Sequence, residues 1–74
     1  MSHLPSVKPK VIIATLKRSG FIEHHQKGSH LYLWHPIRKR MTSVAVHTKD
    51  LPRGTVRAII EQAGFTEEEF QKLL

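Results

Sequence analysis

Cysteine is absent from this 74-residue chain, which excludes disulfide bonds and zinc sites built on thiolates. Long hydrophobic runs are also absent: the longest aliphatic stretch, residues 11–16, is too short for a signal peptide or a membrane span. The sequence therefore predicts a cytoplasmic protein without a membrane segment. Its length predicts a flexible leader at 1–7 and one domain at 8–74, without an enclosed substrate cavity. Any chemistry must then take place on an open face.

Acidic residues are scarce and unevenly placed. Asp and Glu number 6 against 12 Lys and Arg, which gives a formal net charge of +6. Most of the acids lie near the C-terminus, so the basic excess belongs to the body of the chain. This asymmetry favours binding to polyanions, of which nucleic acid is the commonest. The alternative is a solvated surface whose charge only keeps the protein soluble.

Helices are predicted from hydrophobic spacing and from end signals. The first covers about residues 9–19 and ends at Gly20, and the second ends at Gly64. Thr66 and Glu69 have the spacing of a capping box that begins a short third helix. The predicted core-facing positions of the first two helices are Val11, Ile12, Thr15, Leu16, Ser19, Val56, Ile59, Ile60 and Ala63.

Three strands are predicted between the first two helices. Residues 21–26 and 30–35 flank a short loop containing Lys27 and Gly28, as in a hairpin, and residues 41–47 alternate as a third strand. The predicted fold is α+β, in the order α-β-β-β-α with a short C-terminal helix. The helices would cover one face of a three-stranded antiparallel sheet and leave the other face free.

Four of the six histidines lie within residues 24–36, around the predicted hairpin. Side chains alternate faces along a strand, so His30 and His35 are predicted on opposite sides, as are His24 and His25. At most two imidazoles then converge, whereas a catalytic zinc site needs three protein ligands. No metal or cofactor is therefore predicted. His24, His25 and His35 are interpreted as polar positions at the rim of the sheet.

His30 is the histidine with a candidate chemical role, because it follows a Gly-Ser turn close to Lys27. Histidine as a residue type exchanges protons near neutral pH. Cleaving RNA needs a base for the 2′-hydroxyl proton, an acid for the leaving 5′-oxygen and cations near the phosphate. A two-residue loop centred on residues 27–28 would place His25 opposite His30, whereas a three-residue loop would place His24 or Gln26 there instead. Glu23 would share their face, either tuning His30 or standing as a plain exposed residue.

The block GF…KGSH…HP, followed by a strand and then by HTKDLPRGTVRAIIEQAG, resembles the HicA (YcfA-like) toxins of toxin–antitoxin systems over residues 7–74. The resemblance implies a fold like that of double-stranded-RNA-binding domains. It also implies a metal-independent endoribonuclease that cleaves messenger RNA and is neutralised by a HicB-type antitoxin. The family's catalytic histidine corresponds to His30, and the turn that positions it corresponds to Gly28 and Ser29. The chain departs from many members at Trp34, where they carry a basic residue.

Cations in the loops flanking the sheet are candidates for contacts with phosphate. The start of the second helix also offers free backbone N–H groups to an anion. For each cation the alternative is a solvated loop charge. A module that binds duplex RNA without cleaving it is the main rival function, and a subunit that docks an acidic protein is another. The candidate RNA-binding residues are Lys27, Lys39, Arg40, Lys49 and Arg53.

Overall fold

A computed structural model describes residues 6–47 and 49–74 of the chain. The strands form one antiparallel sheet in the order β1-β2-β3. This arrangement confirms the predicted α+β fold. In chain order the elements are α1 (Pro9–Arg18), β1 (Ile22–Lys27), β2 (His30–His35), β3 (Arg40–Ala45), α2 (Arg53–Ala63) and α3 (Glu67–Leu73).

The predicted leader, residues 1–7, lies mostly outside the described residues. Its last member, Val7, forms an isolated antiparallel bridge with Leu51, whose backbone N–H donates to the Val7 carbonyl at 2.8 Å. Leu51 is buried and Val7 packs against the core. Val7 is therefore tied to Leu51 in the loop before α2.

Local signals set the ends of the first two helices. Pro9 occupies the first turn of α1, where its missing N–H removes no helical hydrogen bond. Gly20 follows the helix at φ +105°, and Gly64 ends α2 at φ +85°, both in the region that favours glycine.

No described helix has the length and apolar character needed to cross a membrane.

Helix α3 begins with the predicted capping box. The backbone N–H of Glu69 donates to the Thr66 hydroxyl at 3.1 Å, and the backbone N–H of Thr66 donates to the Glu69 carboxylate at 2.8 Å. The Glu69 carboxylate accepts hydrogen bonds from the backbone and the side chain of Thr66. These bonds stabilise its charged form and lower the pKa of the Glu69 carboxyl below its ordinary value. Phe65 and Phe70 flank the capping box and pack against each other as a hydrophobic staple, with ring centroids 5.8 Å apart.

One hydrophobic core lies between the sheet and the helices. Val11 was predicted to face it but is exposed, because the buried stripe of α1 is narrow and follows Ile12, Thr15 and Leu16. The predicted stripe of α2 is buried as a whole. The core consists of Ile12, Leu16, Phe21, Leu31, Leu33, Val44, Leu51, Val56, Ile59, Ile60, Ala63 and Phe70.

The other side of the sheet, here called the outer face, carries no helix within the described chain. Residues that pair across strands share a face, which assigns its side chains to three rows. The near row holds Lys27, His30 and Ala45, the middle row His25, Tyr32 and Ser43, and the far row Ile22, Trp34 and Met41.

Candidate functional site

The turn between β1 and β2 consists of Gly28 and Ser29, one residue later than predicted. Lys27 therefore pairs with His30, and His25 pairs with Tyr32 instead of His30. Gly28 has φ +59° while Ser29 does not have a positive φ, which is the pattern of a type II′ hairpin turn. The predicted pairing of His25 with His30 is wrong because glycine occupies the first turn position.

His30 is exposed on the outer face, at the turn end of the central strand. Within the described chain its imidazole makes no hydrogen bond or ion pair, so both ring nitrogens are open to a ligand. Lys27 lies directly across from it on β1, and such partners have Cβ atoms about 4.5–5.5 Å apart. The small side chain of Ala45 lies across from it on β3 and leaves space on that side.

Two hydrogen bonds hold the Gly-Ser turn beside His30. The backbone N–H of Val46 donates to the Ser29 carbonyl at 2.8 Å, which ties the turn to the end of β3. The side-chain amide of Gln26 donates to the Gly28 carbonyl at 3.2 Å. The turn is thus anchored from both neighbouring strands, which restricts the backbone from which the imidazole projects.

His35 lies on the opposite side of β2 from His30, as predicted, but it is buried and not at the rim. Its Nδ1 accepts the backbone N–H groups of Ile37 at 3.3 Å and Arg38 at 3.0 Å, so the proton of the neutral ring is on Nε2. Nε2 donates to the Ser19 carbonyl at 3.0 Å. This histidine links the end of α1 to the β2–β3 turn and is structural.

Glu23 is not placed to act on His30. It pairs across from Leu33 and forms an ion pair with Lys17 on α1. The alternative interpretation, an exposed strand residue, is the one that fits its surroundings.

A β-bulge between Glu23 and His25 changes the geometry of the histidine pair on β1. The rings of His24 and His25 lie 4.9 Å apart, so the prediction that they diverge is wrong. His25 stacks on Tyr32 with ring centroids 4.6 Å apart and planes 11° from parallel.

Among the described residues, no three His, Asp or Glu side chains converge as a metal-binding group.

Three of the five candidate RNA-binding cations lie at the two ends of the sheet. Lys27 lies at the His30 end of β2, while Lys39 and Arg40 lie at the His35 end. The two ends are about 17 Å apart, because His30 and His35 are separated by five residues of strand. Lys39 has φ +57° in the β2–β3 turn. Arg40 was predicted in a loop but begins β3, because it pairs with His35. Arg53 begins α2.

Lys49 lies in a basic groove at the His30 end of the molecule. The groove has a volume of about 480 Å³. Val46 connects it to the Gly-Ser turn through the hydrogen bond to Ser29. Lys8 and Lys10 could not be predicted as members of this groove, since only the fold brings the start of α1 beside the loop after β3. The groove is lined by Lys8, Pro9, Lys10, Val46, Lys49 and Asp50.

Two other arginines have structural contacts. The guanidinium of Arg38 lies 4.4 Å from the ring centroid of Phe65 and donates to the Gly64 carbonyl at 3.1 Å, at the end of α2. Arg18 donates to the Leu73 carbonyl at 2.7 Å, which holds α3 against α1. Part of the net positive charge therefore stabilises the fold.

Comparison with known proteins agrees with the geometry. The family model of the HicA toxin of bacterial toxin–antitoxin systems matches residues 10–65, which include the whole sheet, His30 and α2. A search of curated proteins finds no match. The family match covers well over half of the chain and confirms the resemblance found in the sequence. The chain belongs to the HicA toxin family of bacterial toxin–antitoxin systems.

Proposed function

We propose that this toxin is a metal-independent endoribonuclease that cleaves messenger RNA, with His30 as its proton-transfer group. The observation that carries the proposal is the exposed imidazole of His30, whose ring nitrogens have no partner in the described chain and whose cross-strand neighbour is Lys27. The membership in a toxin family supports the same assignment.

The proposed reaction needs only groups that an open face can offer. His30 takes the proton of the 2′-hydroxyl, whose oxygen bonds to the adjacent phosphorus while the bond from phosphorus to the 5′-oxygen breaks. A proton returned to the 5′-oxygen completes the cleavage and leaves a cyclic phosphate and a 5′-hydroxyl. Lys27 lies where its charge would stabilise the negative phosphate oxygens as they develop.

The groove at the His30 end is proposed to hold neighbouring phosphates. Lys8, Lys10 and Lys49 line it beside one acid, Asp50, and an RNA backbone is a polyanion that this excess of cations would attract. Gly28 and Ser29 are proposed to position His30, since the hydrogen bond from Val46 fixes their turn. Lys39, Arg40 and Arg53 remain proposed phosphate contacts outside the groove.

The proposed partner is a HicB-type antitoxin that blocks the outer face. Expression of the toxin alone is expected to arrest growth, and coexpression of the antitoxin is expected to restore it. The variant His30→Ala is expected to be harmless without the antitoxin. A purified complex that still cleaves RNA as fast as the free toxin would contradict inhibition by this partner.

The deciding experiment is cleavage of a messenger RNA in EDTA by the wild type and by His30→Ala. Loss of one acid–base group is expected to slow cleavage by about 10²- to 10⁴-fold. His24→Ala is the matched control, because it removes another exposed imidazole of the same hairpin. We expect it to cleave like the wild type.

Circular dichroism and an RNA-binding assay separate lost chemistry from lost structure. His30→Ala is expected to keep its fold, since no described side chain depends on the imidazole. Cleavage by His30→Ala at the wild-type rate would refute the assignment. If the wild type binds RNA but never cleaves it, the chain is a binding module without chemistry.

A further inference from the structure

The outer face carries aromatic side chains in line with His30. His30, Tyr32 and Trp34 share one side of β2, with neighbours about 6.6–6.8 Å apart. We propose that this line, here called the aromatic track, binds unpaired RNA whose bases stack on Tyr32 and Trp34 while the cleaved phosphate lies at His30. The inference rests on the proposed function and names the form of its substrate.

Tyr32 already takes part in a stack of parallel rings. The imidazole of His25 covers the side toward β1, with centroids 4.6 Å apart. On the side toward β3 the cross-strand neighbour is Ser43, whose small side chain leaves the tyrosine ring open. A base entering from the β3 side would continue the existing stack, and base–aromatic stacking is favourable for all four bases.

Trp34 offers a second ring on the same line. It is half-buried and lies between Ile22 and Met41, which are 54% and 40% exposed. Within the described chain the ring–ring contacts do not include the indole, so its π-surface is not taken by another aromatic ring. Those contacts involve Phe21, His24, His25, Tyr32, His35, Phe65 and Phe70.

Charge and shape along the aromatic track match a nucleic acid strand. Lys27 lies at its His30 end, and Lys39 lies in the β2–β3 turn beyond its other end, so a cation stands at each end of the rings. On the β3 side, the cross-strand neighbours of Tyr32 and His30 are Ser43 and Ala45, whose side chains are small. Exposed apolar side chains occupy only the far row of the sheet. That distribution favours a charged strand with flat bases over an apolar protein surface.

Unpaired RNA is the form of RNA that this geometry accepts. In a duplex the faces of the bases are covered by stacking, and a protein meets mainly phosphates and 2′-hydroxyls. The rings of Tyr32 and Trp34 would then have no base to contact. A sheet whose aromatic side chains stack on successive bases is an established way to bind single-stranded RNA.

The test uses the fluorescence of Trp34, which is the single tryptophan of the chain. The wild-type protein is titrated with a 2′-O-methyl oligonucleotide, which cannot be cleaved through a 2′-hydroxyl, either alone or annealed to its complement. We expect saturable quenching by the single strand, because a base stacks on the indole. The fraction of protein bound is measured separately, from the anisotropy of a labelled strand. At equal bound fractions, the duplex is expected to cause little quenching.

Variants separate the aromatic track from general charge attraction. Trp34→Leu and Tyr32→Leu are each expected to weaken single-strand binding about 5- to 150-fold, the contribution of one stacked base, with duplex binding unchanged. Ile37→Ala is the control, because Ile37 is 86% exposed but lies in the β2–β3 turn. It is expected to bind both forms like the wild type.

Three results would overturn the inference. The first is equal quenching by duplex and single strand, and the second is wild-type single-strand affinity in both leucine variants. The third is loss of antitoxin binding in Trp34→Leu with unchanged RNA affinity, which would assign the face to a protein. The wild-type titration remains decisive even if a variant fails to fold. If the single strand quenches Trp34 but RNA is not cleaved, the aromatic track stands and the proposed ribonuclease reaction is refuted. If RNA is cleaved but Trp34 is not quenched, the reaction stands and the aromatic track is refuted.

Discussion

A Cβ atom placed on Gly20 would lie 2.7 Å from Nε2 of His35, the nitrogen that donates to the Ser19 carbonyl. The glycine after α1 and the histidine at the end of β2 are therefore matched in shape. Position 20 requires glycine for two reasons: its φ is +105°, and the His35 imidazole fills the space that a Cβ would occupy.

We expect Gly20→Ala to lower the free energy of unfolding by at least about 2 kcal/mol, since it adds backbone strain and displaces the imidazole. Urea denaturation measures the change. Gly28→Ala is the control, because Gly28 also has a positive φ but no atom within 4 Å of an added Cβ. It is expected to cost about 1 kcal/mol. Equal losses in the two variants would contradict the close fit of Gly20 to His35.

His35→Ala is expected to destabilise the protein by about 2–3 kcal/mol, because it leaves backbone groups of three residues without their hydrogen-bond partner. His30→Ala is expected to change stability by less than about 0.5 kcal/mol. Thermal and urea unfolding of both variants checks this contrast. A comparable loss of stability in both would contradict the assignment of a structural role to His35 alone.

Glu69 gives the stability of α3 a dependence on pH. Its folded pKa lies below the ordinary value of 4.5, so the unfolded chain takes up the proton first as the pH falls. The stabilisation is present above 4.5 and is lost as the pH falls through the folded pKa. We expect wild type to be more stable than Glu69→Gln at pH 7, with the difference vanishing at acidic pH in urea titrations. A difference independent of pH would contradict the role of the charge.

The basic groove predicts a change in the salt dependence of RNA binding. Replacing Lys8, Lys10 and Lys49 together by Gln is expected to reduce the slope of log affinity against log salt by about 2, at about 0.7 for each lost phosphate contact on a single strand. Fluorescence anisotropy at several salt concentrations gives the slope. Lys72→Gln, on α3, is the control and is expected to leave it unchanged. An unchanged slope in the triple variant would remove the groove from the RNA path.

The helix ends could be predicted from the sequence because their signals are local. Gly64 closes α2 and Thr66 opens α3 through contacts within a few residues. The hairpin register was missed by one residue, since Gly28 suits either position of a two-residue turn and the neighbouring residues of β1 are polar throughout. An alternating apolar pattern would have fixed the register, and β1 has none.

Contacts between distant segments could not be predicted. The burial of His35 depends on the Ser19 carbonyl, a backbone group that has no signature in the sequence. The groove likewise needs α1 to begin beside Lys49, which the pairing of Val7 with Leu51 brings about. His30 was a candidate from the sequence because its turn is local, and its surroundings on the outer face follow from the hairpin register.

The bulge in β1 has a consequence for self-association. β1 is an edge strand, and an exposed edge invites pairing with the edge of another molecule, which leads to aggregation. The additional residue at His24 breaks the regular spacing of backbone donors and acceptors, and Glu23 and Lys27 add charge beside it. A second copy therefore meets an irregular, charged edge. The outer face of the sheet can therefore stay uncovered without inviting strand pairing along that edge.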